Sequence, residues 1–349
     1  MGPRFSLALV WGTMGAACAF QAAPIAGAGD AAGGDSSGPG DAGEDGPGLD
    51  TPDLDAPGGD APDLDGPGLD GPYADAPGLD APAADAAPPD AGALGPFGPP
   101  TPVTPLNTPG TEDDASLTGD MLEIFFDRNG DIFTSRRAAV TDVWGAPTAV
   151  AAVNSLSTET TPEVAVDGLV LWFASNRPGG SGDHDIYVST RADRTMAWRA
   201  PLRVTELCST LIDYAPTPGA DLLAMVLTST RPGVGAEDLY WTTRASPSAF
   251  WAAPVLLAGV NTATTETDAW LDATRTVLYF ATDRPGGAGD WDIWRAARPD
   301  PWSPFGTPVP VAELNTGLRE SDVWLSPDMR TIYFTSRAGG SADIYMATR

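Results

Sequence analysis

The stretch FGPPTPVTPLNT, residues 97–108, recurs near the end of the chain as FGTPVPVAELNT, residues 305–316, with eight of the twelve positions identical. The first copy closes a long acidic, proline-rich region; the second lies among strand-like runs. A spacer has no physical reason to copy part of a folded unit. The front copy is therefore read as a piece of the domain.

From about residue 109 the chain alternates in the manner of strands: EIFFDR at 123–128, LVLWFASNR at 169–177, TVLYFATDR at 276–284 and TIYFTSR at 331–337. There is almost no helical periodicity. A repeat organises these runs. Arg ends a second strand at Arg128, Arg177, Arg231, Arg284 and Arg337, and Asp opens a third at Asp131, Asp185, Asp238, Asp292 and Asp343. Six residues after each Asp stands another Arg: Arg137, Arg191, Arg244, Arg298 and Arg349. An aromatic–x–x–Pro element follows (WGAP, WRAP, WAAP, FGTP), with Pro147, Pro201, Pro254 and Pro308 spaced 54, 53 and 54 apart. The fourth run ends at Asn154, Cys208, Asn261 and Asn315.

A unit of about 53 residues with four short strands is the pattern of a β-propeller blade. There are five units, and the fifth stops at Arg349 after its third strand. Residues 97–108 supply the missing outer strand, which closes the ring and removes its open edges. The expected fold is all-β: a five-bladed propeller of four-stranded antiparallel blades, closed by an N-terminal outer strand. The expected organisation is an export signal at 1–19, an acidic Pro/Ala/Gly/Asp spacer at 20–96 and the propeller at 97–349.

The runs SPDMRTIYFTSRAGGSADIY (326–345), DGLVLWFASNRPGGSGDHDIY (167–187) and DATRTVLYFATDRPGGAGDWDIW (272–294) resemble the WD-like propeller repeat of TolB-type proteins. The resemblance spans 97–349; the third unit is the most degenerate, and the first has RNGD in place of the Pro-Gly-Gly loop. It implies the fold and an extracytoplasmic setting, and it leaves the ligand open. TolB, as the resemblance has it, carries six blades and a separate N-terminal domain. Five repeats and a spacer depart from that, so a TolB role is not carried over.

The chain has 349 residues and a formal charge of −28; its 19 basic residues are all Arg. Such a balance argues against nucleic acid or anionic lipid as a partner. Residues 51–90 are eight five-residue units with Asp at every fifth place and Pro second in seven of them. With few large apolar groups, this reads as a stiffened spacer. One Asp per five extended residues does not converge on an ion, so calcium is not assigned there. At the N-terminus Arg4 precedes a short apolar run, the pattern of an export signal. GAAC (15–18) resembles a bacterial lipobox and makes Cys18 the candidate lipidated residue of an outer-membrane lipoprotein, periplasmic or at the cell surface. ACA (17–19) alternatively fits ordinary cleavage and free secretion. In either case the membrane is reached only through the N-terminus. Only Cys208 remains beside Cys18, so no disulfide framework is expected.

The recurring Arg and Asp take ten of the 19 Arg and are read as structural. Asp183 with Asp185 and Asp290 with Asp292, in the glycine loops, are candidate calcium ligands but fit solvated hairpins better. His184, the single histidine, cannot build a multi-histidine zinc site. No serine elbow, zinc motif or phosphate loop is present. The leading functional expectation is a non-enzymatic module that binds a protein or glycan at the channel face. The second is a carbohydrate-active hydrolase using channel carboxylates. Alignment of the innermost strands places an acid in all five blades at Asp114, Glu163, Asp213, Asp268 and Asp322. A second acid, two residues earlier, occurs only in the first, fourth and fifth: Glu112, Glu266 and Glu320. Trp270 and Trp324 follow in the fourth and fifth. Glu112, Asp114, Glu266, Asp268, Trp270, Glu320, Asp322 and Trp324 are therefore the candidate ligand-binding residues. Carboxylates beside aromatic faces suit a cation, or a sugar stacked on indole with its hydroxyls bonded by acids; no cofactor is expected, and calcium is the one metal considered.

Overall fold

The computed structural model describes residues 94–349; the signal, Cys18 and the spacer lie outside the described residues. Among the described residues there are twenty strands and no helix. After β1 (Thr101–Pro102), blade 1 comprises β2 (Glu112–Leu117), β3 (Glu123–Arg128), β4 (Asp131–Arg136) and β5 (Thr148–Ala149). Blade 2 comprises β6 (Glu159–Val164), β7 (Val170–Ser175), β8 (Asp185–Thr190) and β9 (Leu202–Arg203). Blade 3 comprises β10 (Asp213–Pro218), β11 (Ala224–Ser229), β12 (Asp238–Thr243) and β13 (Val255–Leu256). Blade 4 comprises β14 (Glu266–Leu271), β15 (Val277–Thr282), β16 (Asp292–Ala297) and β17 (Val309–Pro310). Blade 5 comprises β18 (Glu320–Leu325), β19 (Thr331–Ser336) and β20 (Asp343–Thr348), and β1 is its outer strand.

The inner strands β2, β6, β10, β14 and β18 each touch the next, and β18 touches β2, so five antiparallel blades form a closed ring around a channel. Second strands such as β7, β11 and β15 are buried along their whole length, because both faces of each blade are covered by neighbouring blades. This is why they read as continuous apolar runs. The core lies between blades, with Phe125, Trp172, Phe173, Tyr279, Phe280, Tyr333 and Phe334 all fully buried.

The repeated polar residues build each blade. The Arg six residues beyond the third-strand Asp stacks on the aromatic of the aromatic–x–x–Pro element: Arg137 lies 4.1 Å from the Trp144 ring, Arg191 4.3 Å from Trp198, Arg244 4.1 Å from Trp251 and Arg298 4.3 Å from Phe305. In blade 5 the same pair is Arg349 with Phe97, 4.2 Å apart, and it joins the two ends of the folded chain. The Asn that ends the fourth run brackets the third strand. Asn107 accepts from the Ile344 amide and donates to the Ile344 carbonyl, both at 3.0 Å, as Asn154, Asn261 and Asn315 do in their own blades. Cys208 holds this place in blade 2, with its thiol towards the Val204 and Ile186 carbonyls at 3.1 and 3.7 Å. Burial pushes that thiol to well above its ordinary pKa, so it is a packed, unreactive group.

Among the described residues the third-strand Asp and the second-strand Arg make no ion pair with each other; each serves its own turn. Asp185, Asp238 and Asp292 accept from loop amides four residues earlier, at 2.6, 2.9 and 2.9 Å. A Cβ on Gly180, Gly233 or Gly287 would meet those carboxylates at 1.8–2.0 Å, which explains the glycine. Asp185 and Asp292 are thus committed to the loop.

Candidate functional site

Each inner strand opens with a fully buried acid: Glu112, Glu159, Asp213, Glu266 and Glu320. The structure corrects the register expected from sequence. Asp213 belongs to this first position, and Glu163 belongs to the fifth. The first position, not the third, carries an acid in every blade. The offset lies in blades 2 and 3, where the third position holds Thr161 and Ala215 and the acids stand two residues to either side of it. Counting from the third strand recovers the register, since Asp131 to Glu159, Asp185 to Asp213, Asp238 to Glu266 and Asp292 to Glu320 are each 28 residues.

Glu112, Glu266 and Glu320 therefore do not reach the channel. Glu112 accepts from the Thr108 amide (2.8 Å), the Thr108 hydroxyl (2.6 Å) and Arg128 (2.7 Å). Glu266 accepts from the Thr262 amide and hydroxyl (2.7 and 2.5 Å) and from Arg284 (3.0 Å). Glu320 accepts from Thr316 and from the Ser336 hydroxyl at 2.8 Å. The arginines also donate to the preceding loop, Arg128 to the Leu106 carbonyl and Arg284 to that of Val260. This is a turn clamp that recurs in every blade with small changes.

The third position of each inner strand is different. Asp114, Thr161, Ala215, Asp268 and Asp322 all have φ between 46° and 55°, inside a bulge that interrupts pairing with the second strand. The bulge turns them into the channel, where Asp114, Thr161, Ala215, Asp268 and Asp322 line a cavity of about 30 Å³. Left-handed backbone favours Asp over most residues. It does not demand Asp, because Thr161 and Ala215 occupy the same conformation. Three carboxylates at this position in blades 4, 5 and 1 are therefore a property of the channel, not of the bulge.

Blade 1 adds two acids that the sequence alignment did not single out: Asp113, and Asp127 opposite it on β3. The equivalent pairs in blades 2 to 5 are Thr160 with Ala174, Tyr214 with Thr228, Thr267 with Ala281 and Ser321 with Thr335. The missed signal was this break in the repeat. Burial, then the charge of Asp322, raises both Asp113 and Asp114 well above the usual carboxylate range. Burial lifts Asp127 to about 7 and, with the charge of Asp268, lifts Asp322 to about 6. Asp268 is raised by burial. The Ser321 hydroxyl donates to Asp322 at 2.6 Å and that of Thr267 to Asp268 at 2.9 Å.

Glu163 lines the same cavity from blade 2, and burial raises it to about 8 against the hydrogen bond of Ser116. It also borders a second cavity of about 70 Å³ at the other end of the inner strands, lined by Trp270, Trp324, Leu117, Val164 and Leu222. Trp270 and Trp324 are 8% and 4% exposed, each edge-on to a tyrosine (Tyr279 at 6.2 Å, Tyr333 at 6.1 Å). Both are packed into the hydrophobic core shared by blades 4, 5 and 1, and border this second cavity. His184 is half-buried in its loop, and its carbonyl accepts from the Asp213 amide at 2.9 Å.

No known protein family matches the sequence. No curated protein matches it either. Similar solved structures include TolB from Acinetobacter baumannii, 16% identical with a TM-score of 0.47 over 70% of this chain and 55% of that one. The alignment thus spans about half of the Acinetobacter protein. A thermostable family-43 glycoside hydrolase is 13% identical, with a TM-score of 0.51 over 71% of this chain and 91% of that one. A putative TolB from Agrobacterium tumefaciens is 16% identical, with a TM-score of 0.45 over 68% and 76%. At 13% identity the likeness to the glycoside hydrolase shows the fold alone and nothing about the ligand.

Proposed function

We propose that the chain is an exported binding module, held by Cys18 to a membrane and set off from it by its acidic spacer, whose channel receives a cationic group of a protein partner. The observation that carries the reading is the concentration of unrepeated acids in blades 4, 5 and 1, next to a cavity bordered by two indoles. Aromatic rings and carboxylates together favour a cation. The space favours one side chain: cavities of about 70 and 30 Å³ are far below the roughly 300 Å³ of a pocket that encloses a small-molecule ligand. A lysine or arginine side chain on an exposed peptide is the occupant of that size and charge.

A hydrolase is the second reading. It is favoured by Glu163, held protonated near neutrality, on the same cavity as Asp114, Asp268 and Asp322, since glycoside hydrolysis pairs a protonated carboxyl with an ionised one. The narrow channel weighs against a sugar ring.

Screening a displayed peptide library against the protein, with a glycan array and a reducing-sugar release assay alongside, tests both. Basic peptides are expected to be enriched, and to be lost with Trp324→Ala. Sugar release abolished by Glu163→Gln would replace this reading with the hydrolase. Mass spectrometry of the mature N-terminus tests the anchor: diacylglycerol on Cys18 supports it, and a free Phe20 terminus refutes it.

A further inference from the structure

Blade 1 meets blade 5 where the ring closes, and the carboxylates crowd at that seam. One oxygen from each of Asp113, Asp114 and Asp322 lies within 4.8 Å of the others. Asp113 and Asp114 come from β2 of the first blade and Asp322 from β18 of the last. The opposite charge nearest to hand is Arg319, which acts on Asp113 and Asp268. Its guanidinium is stacked on Trp291 at 3.7 Å, and among the described residues it makes no ion pair with these acids.

Such a group of acids can be relieved by shared protons or by a bound cation. Two further oxygens face the same seam. Asp113 Oδ1 is buried and accepts no hydrogen bond. The Thr335 hydroxyl, on β19 of blade 5, is 3% exposed, is turned towards Asp113 and has no hydrogen-bond partner. A cation between the strands would use both oxygens. Thr335 stands where blade 1 has Asp127, so the two blades present oxygen donors to the seam from both sides.

We propose that Asp113, Asp114 and Asp322, with the Thr335 hydroxyl, hold a hard divalent cation that ties the last blade to the first. Every donor is oxygen and none is nitrogen or sulfur, the set that calcium prefers. The adjoining channel cavity, lined by Asp114, Asp268 and Asp322, has room for the water that completes the shell and gives the ion a way in. This deepens the reading of blades 4, 5 and 1 as the binding face. It does not require a peptide partner, because Asp113 does not line the channel cavity.

The test uses the full mature chain, freed of metal with EDTA and titrated with calcium alone. Calcium is expected to raise the melting temperature, with a midpoint between about 10 µM and 1 mM, the range of sensor and extracellular sites. Because the acidic spacer adds weak sites, the stoichiometry is taken against Asp113→Asn/Asp322→Asn, which should bind one ion fewer. The sign of the mutational effect is diagnostic. In EDTA, Asp322→Asn relieves repulsion and melts at or above the native chain; in calcium it melts below it. An offset that is the same with and without calcium overturns the proposal. If the variants fail to fold, the native chain still decides: terbium luminescence excited through tryptophan should be quenched by calcium with a one-site competition curve. Terbium signal that calcium does not displace overturns it. Asp113→Asn should lose the ion and keep basic-peptide binding, whereas Trp324→Ala should do the reverse, so failure of one reading is distinguishable from failure of the other.

Discussion

On β14, Glu266 and Asp268 stand two residues apart, and their surroundings could hardly differ more. Glu266 is fully buried, yet its carboxylate meets an amide, a hydroxyl and Arg284. Asp268 has the Thr267 hydroxyl and a neighbourhood of other acids. The first position repeats around the ring, and in blades 1 to 4 it is paired in place with an arginine. The third does not repeat, and in blades 4, 5 and 1 its charge is left over. A propeller offers the same backbone position five times, so the blades act as controls for one another. A residue found in all five answers to the fold, and a residue found in adjacent blades only answers to something in the channel.

The sharpest way to break the comparison is to remove a repeated element. Deleting residues 97–108 takes away β1, the Asn107 bracket and the buried side chains of Phe97, Val103 and Leu106. At about 2 kcal/mol per buried apolar side chain, the loss of about 6 kcal/mol rivals the whole stability of an ordinary domain. No cooperative thermal transition should remain, whereas deletion of 30–90 should leave the melting temperature nearly unchanged.

Glu266→Ala should cost about 3 kcal/mol in urea unfolding, because it strands Arg284 and a loop amide in the interior. Two residues on, Asp268→Asn should have the opposite sign in metal-free protein, a gain of about 2 kcal/mol from relieved repulsion at an effective dielectric near 20. Equal signs at the two positions would collapse the distinction between them. A further arm concerns Glu163, raised to about 8 by burial. A carboxyl whose folded pKa lies above its unfolded one near 4.3 takes up a proton on folding, so its contribution is full below the unfolded pKa and is lost as pH rises through the folded one. Between about pH 4.5 and 8 the metal-free native chain should lose up to about 1.4 kcal/mol per pH unit relative to Glu163→Gln, which lacks this slope. The smallest effect is expected at Cys208. Cys208→Asn restores the bracket used by the other four blades and should add about 1 kcal/mol, seen as a modest rise in melting temperature.

The fold could be read from the chain because its causes are local and recur. The Arg–aromatic stack, the loop-capping Asp with its glycine, and the Asn bracket each occupy fixed spacings, and even ring closure was visible in the likeness of 97–108 to 305–316. The candidate site was visible only in outline. The concentration of acid in blades 4, 5 and 1 could be read, but the roles of Glu266 and Asp268 were exchanged, Glu163 and Asp213 were set at the wrong position, and Asp113 and Asp127 were passed over. Register along an inner strand depends on where the strand begins and on a bulge that turns the third residue inward, and in blades 2 and 3 that residue is Thr161 or Ala215, so an acid two places away was taken for it. Which carboxylates share a space depends on strands more than 150 residues apart that meet only when the last blade closes on the first. Pairing of charges with arginines was a matter of local spacing, whereas crowding of charges was decided by the tertiary ring.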